Sequence, residues 1–166
     1  FSEYVINDVI SSLEHIKSSD NTLLIEKDYL KLVKKYQNKY KDKISIKKGI
    51  EMGVQSHILD KCSYDIKKYP FDFVICSLHA MNRVDLYNGT FFNDITQEQA
   101  YEKYYLELYN IVKNYNDYSV LGHLDLIKRY GDYKNELDDK LFSDIIESIL
   151  KEAIYNGKGI EINTSC

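Results

Sequence analysis

Four polar residues that could do chemistry, Glu51, His79, His123 and Asn163, each stand at the C-terminal end of a short β-prone stretch. In barrels and open parallel sheets the loops beyond those ends build the active site, so residues far apart in sequence converge there. A carboxylate with two imidazoles is a partial ligand set for Zn, Mn or Fe. Each residue also has a plainer reading: Glu51 as a solvated loop residue, and His79 or His123 as a hydrogen-bonded core or capping histidine. Gly122, directly before His123, favours the ligand reading there, because a glycine lets the backbone pass close to a bound group. Arg129 comes six residues after His123, and Arg83 stands in a similar relation to His79. A guanidinium fork can bind two phosphate oxygens at once; a surface salt bridge is the alternative for both arginines. His15 and His57 lie in helical or loop contexts away from strand ends and take no role.

The elements that must position these residues alternate. Tyr4, Val5, Val9, Leu13 and Ile16 recur at helical steps behind Ser2 as N-cap, and the polar run 18–21 ends that helix. A second helix carries Leu24, Leu30, Val33, Tyr36 and Tyr40 on its inward face. Beyond it, the stretches 44–51, 71–78, 119–124 and 159–163 read as strands, and 56–69, 97–115 and 137–155 as helices. Strands alternating with helices of this length predict an α/β fold built on a parallel sheet or barrel. With 166 residues and no Pro/Gly/Ser linker, one domain over 1–166 is expected.

Composition excludes more than it identifies. A net charge of −4 argues against a nucleic-acid-binding face. No apolar run approaches the roughly 18 residues that span a bilayer, and no basic-then-apolar leader pattern is present, so no membrane association and a cytoplasmic setting are expected. Cys62, Cys76 and Cys166 form no CxxC pair and, being odd in number, no disulfide framework, so they are read as reduced. GxGxxG, Walker and GxSxG motifs are lacking, which sets aside nucleotide cradles and a serine nucleophile elbow.

Several strings, in this order, resemble the histidinol-phosphatase branch of the PHP (polymerase and histidinol phosphatase) family. They are Gly49-Ile50-Glu51, Phe73-Val74-Ile75-Cys76-Ser77-Leu78-His79, Gly122-His123-Leu124-Asp125-Leu126-Ile127-Lys128-Arg129-Tyr130 and Glu161-Ile162-Asn163-Thr164-Ser165. Asp85-Leu86-Tyr87 and Thr96-Gln97-Glu98-Gln99-Ala100-Tyr101 fit the same branch. The resemblance implies part of a distorted (β/α)7 TIM-like barrel carrying divalent metal ions (Zn, Mn or Fe), up to three in the complete family site. It makes Glu51, His79 and His123 metal ligands and Arg129 a phosphate contact, with Asn163 orienting substrate or a water and Arg83 a weaker phosphate candidate. The implied reaction is hydrolysis of L-histidinol phosphate in histidine biosynthesis. Another small phosphate ester, or a non-catalytic PHP-like module, is the alternative. The family's N-terminal HxH and Asp-His motifs and its C-terminal Asp-x-His do not occur in these 166 residues, and Cys166 stands where the family has Gly. A partial barrel that holds metal weakly by itself is therefore expected.

Overall fold

The computed structural model describes residues 22–69, 71–131, 133 and 137–163; the helix expected over 4–16, with Ser2 and His15, lies outside them. The chain divides into two compact units, 1–48 and 49–166. In the first, α1 (Thr22–Tyr40) follows the expected helical spacing. Tyr36 and Tyr40, one turn apart, stack with ring centroids 6.1 Å apart. The helix ends where Lys43 and Ile44 both donate their N–H groups to the Tyr40 carbonyl.

The second unit carries β1 (Gly49–Gly53), α2 (Leu59–Lys68), β2 (Phe73–Ser77), a small hairpin of β3 (Ala80–Met81) and β4 (Val84–Asp85), α3 (Gln97–Asn114), β5 (Val120–Leu121), α4 (Ser143–Tyr155) and β6 (Gly159–Ile160). The main sheet runs β1-β2-β5-β6, all neighbours parallel. Because each strand lies beside the one before it in the same direction, right-handed crossovers put α2, α3 and α4 on one face. A doubly wound sheet would split its helices between both faces. The arrangement is an arc of a TIM-like barrel, and among the described residues the sheet does not close. No described helix is long and apolar enough to cross a membrane.

Register divides the sheet residues by face. Glu51 pairs with Ile75, Ile75 with Val120 and Val120 with Gly159, so these share one side. Val74, Cys76 and Leu121 point the other way and pack with Tyr104, Leu108 and Ile111 of α3 and Ile149 of α4. Helix α3 earns its place through a full capping box, Thr96 with Gln99, and a buried stripe from Ala100 to Val112 in which Tyr104 and Tyr105 are enclosed. Burial pushes the Cys76 thiol up to about 12, so it stays protonated, and Cys62 and Cys76 are both free.

The ladders are shorter than the β-prone stretches. Residues 44–48 precede β1, and β5 and β6 pair over only two residues each. Glu51 therefore lies in the middle of its strand, not at its end. The strand continues because the ladder runs on to Gly53, beyond which Val54 N–H still donates to the Ser77 carbonyl at 2.8 Å.

Candidate metal centre

Three side chains meet on the sheet's open face. Glu51 reaches from inside β1, His79 stands two residues past β2, and His123 stands two past β5. The distances are 3.0 Å from His123 Nε2 to Glu51 Oε1, 3.1 Å from His79 Nε2 to the same oxygen, and 3.1 Å between the two Nε2 atoms. Two imidazole nitrogens and a carboxylate oxygen thus form a near-equilateral triangle.

Backbone contacts fix each corner. The hairpin after β2 folds back so that Leu86 N–H donates to the His79 carbonyl at 3.0 Å. His123 N–H donates to Glu161 Oε2 at 3.0 Å, and its own carbonyl accepts from Leu126 N–H at 3.0 Å, starting the 3-10 turn Leu126–Arg129. The Ser77 hydroxyl, fully buried, donates to Glu51 Oε1 at 2.7 Å. His123 Nδ1 is buried with no hydrogen-bond partner among the described residues, so the triangle, on the Nε2 side, is where that ring does its polar work.

Charge at the triangle follows from its surroundings. Burial pushes the Glu51 carboxyl up, but the Ser77 hydroxyl and the two imidazoles outweigh it and hold the group below its ordinary range. Burial is also the largest influence on His79 and lowers it, more than the Glu51 charge raises it. At neutral pH the His79–Glu51 contact is therefore carboxylate to neutral imidazole, despite ion-pair spacing. Neutral imidazole is the form that binds metal.

The donor set fits a divalent cation. Bonds of about 2.0–2.1 Å in a tetrahedral site put ligand atoms about 3.3 Å apart, close to the observed edges of 3.0–3.1 Å. Among the described residues this is the one group of three or more His, Cys, Asp or Glu side chains with that convergence. Glu51 and His79 remain open to solvent, with side chains 44% and 43% exposed, while His123 is 8% exposed, so the triangle is reached from one side.

An open cleft of about 630 Å³ adjoins it, lined by His123, Asp125, Lys128, Glu161 and Asn163 and, from α4, Ile146. Asn163 is thus on the same cleft as His123. Arg129 is exposed at the end of its 3-10 turn. Arg83 is exposed in the β3–β4 turn, where Asn82 and Arg83 both adopt positive φ and the Arg83 N–H donates to Gln55 Oε1. Ser77 and Glu161 escaped the sequence reading. The usable signal was register for Ser77, which alternates with Ile75 on β2 and so shares the face of Glu51; Glu161, past the end of β6, had none.

Parallel βα units with this Glu-His-His cluster at their rim define a class, and the PHP domain family matches residues 11–165. The chain belongs to that family. It is 34% identical over 139 residues to the histidinol-phosphatase of Lactococcus lactis subsp. lactis (strain IL1403), covering 82% of this chain and 52% of that protein. The "Probable histidinol-phosphatase" of Clostridium acetobutylicum is 31% identical over 117 residues, covering 70% of this chain and 46% of its own. A crystal structure of histidinol phosphate phosphatase from Lactococcus lactis, complexed with Zn, L-histidinol and phosphate, superposes with a TM-score of 0.77 at 34% identity, over 82% of this chain and 53% of that one. The chain spans about half the length of the relatives it matches.

Proposed function

We propose that this chain is part of a single-domain, metal-dependent phosphomonoesterase that hydrolyses L-histidinol phosphate to L-histidinol and phosphate, a step of histidine biosynthesis. The convergence of Glu51 Oε1, His79 Nε2 and His123 Nε2 carries the reading. Similarity to a protein solved with Zn, L-histidinol and phosphate supports the choice of metal and substrate.

In this reading Glu51, His79 and His123 hold a divalent ion. When bound, such an ion supplies Lewis acidity, drawing charge from phosphoryl oxygens and acidifying water near neutral pH. The chain's own residues do the rest. Ser77 and Glu161 fix the carboxylate and the His123 backbone, while the cleft beside His123 receives the ester, with Asn163 orienting it. Arg129, on the turn that His123 begins, grips the phosphate through its planar fork. Arg83, exposed in the β3–β4 turn, is a weaker phosphate contact, because the family match supports it less and a surface salt bridge would account for it. The two buried free thiols support a cytoplasmic setting.

Phosphate release from histidinol phosphate by the full-length protein, abolished by a chelator and restored by zinc, is the expected result; release indifferent to chelator would refute metal dependence. In the same assay Arg129→Lys should lower kcat/KM about ten- to a hundredfold, because a charge-assisted hydrogen bond is worth roughly 1.5–3 kcal/mol and each 1.4 kcal/mol is about tenfold. Metal content should hardly change. Unchanged kinetics would remove Arg129 from the phosphate site.

A further inference from the structure

We propose that Ser77 is a positioning residue for the metal centre: its hydroxyl, seated over the bare Cα of Gly122, holds the Glu51 carboxylate so that Oε1 faces both imidazoles. The inference rests on the metal-binding reading above and goes beyond it, from the ligands to what orients them.

Three observations carry it. Ser77 is fully buried, and its hydroxyl does not spend its hydrogen on a neighbouring carbonyl but donates across to β1, to Glu51 Oε1 at 2.7 Å. That same oxygen is the one lying 3.0–3.1 Å from both Nε2 atoms, so the bond ends on the atom a metal would use. Third, the seat exists because residue 122 has no side chain. A Cβ there would lie 2.6 Å from Ser77 Oγ and 2.8 Å from Ile75 Cγ2.

The physical need is clear. Glu51 has a long side chain that is 44% exposed, and ordering such a chain costs up to about 2 kcal/mol of rotamer freedom. A buried, fixed donor meets that cost in folding, before any ion arrives, which is how outer partners of metal ligands raise affinity. The two histidine-bearing strands thus each contribute a small residue just upstream of the ligand: Ser77 before His79 holds the carboxylate, and Gly122 before His123 makes room for Ser77.

The test is a double-mutant cycle in the full-length protein, with zinc binding titrated calorimetrically and apo melting followed in parallel. Ser77→Ala should weaken zinc binding about ten- to a hundredfold in the wild-type background. In a Glu51→Ala background, which removes the acceptor that Ser77 bonds, the same change should cost less than about threefold, because its route to the metal is gone. Ser77→Gly, run alongside, removes the same hydroxyl and should show the same coupling, so a folding failure of one variant leaves the other to decide. Visible spectra with Co²⁺ in place of zinc should shift on Ser77→Ala and stay unchanged in Ile149→Val, a core change on the other face of the sheet. Equal losses in both backgrounds, or no loss in either, would overturn the positioning role alone. No zinc binding by the wild-type full-length protein would overturn the metal reading and the inference with it.

Discussion

Replacing His79 by alanine is expected to weaken zinc binding more than about a hundredfold, since removing residues that merely orient a ligand already costs ten- to a hundredfold. The fold should barely notice. His79 has a side chain 43% exposed, and surface changes fall within about 0.5 kcal/mol, or roughly 2 °C in a domain of this size. His123→Ala should lose the same affinity and stability as well, because that side chain is 8% exposed and its ring fills space under the rim. Calorimetric zinc titration with thermal melts of the apo forms separates the two effects. Zinc binding by the His79→Ala chain equal to wild type would exclude His79 as a ligand. Binding should also weaken as pH falls, since protons compete with zinc for the His79 imidazole and then for the Glu51 carboxylate, both held below their ordinary values, so the loss sets in below the usual imidazole range.

Gly122→Ala is expected to lower the melting temperature by about 3–10 °C, the equivalent of the 1–3 kcal/mol typical of an overpacked interior. The new methyl has no easy escape. Ser77 Oγ at 2.6 Å is fully buried and tied to Glu51, Ile75 Cγ2 lies at 2.8 Å, and Gly122 N–H is bonded to the Cys76 carbonyl at 2.9 Å. Relief must come from moving β5 away from β2 or from turning the Ser77 hydroxyl, and either displaces the triangle. Zinc affinity should fall along with stability. Gly53→Ala, in the same sheet, is the control: its Cβ would meet only His79 Nδ1, at 3.8 Å, an ordinary contact, so melting should shift by about 2 °C or less. Equal melting of the two variants would show that the crowding at position 122 is relieved without cost.

The element order was legible because it rests on local periodicity. The helical runs around Tyr104 and Leu108, and around Ile145 and Ile149, bury the faces their spacing predicts, and the capping box at Thr96 marks a helix start that the chain itself specifies. Strand limits were less legible. The β-prone stretches 44–51 and 119–124 predict more ladder than exists, because pairing needs a partner at the right register, and a residue such as Ile44 carries β propensity whether or not one lies alongside. Glu51 sits inside its strand because pairing runs on to Gly53, and it reaches the site by the length of its side chain.

What the chain determined by itself was the class of site: one carboxylate and two imidazoles on successive parallel strands, with a glycine before the last of them. Those are properties of residue type and spacing, and family resemblance reads the same letters. Tertiary structure alone decided that all three donor atoms close to within 3.0–3.1 Å of one another, that one oxygen of Glu51 serves as the shared vertex, and that Ser77 and Glu161 hold it and His123 in place. The physical reason is separation along the chain. Ser77 lies 26 residues from Glu51, and Glu161 lies 38 from His123, so no local pattern encodes either contact. Only the parallel register, which sets Gly53 beside Ser77 and brings Gly122 against it, turns those distances into hydrogen bonds.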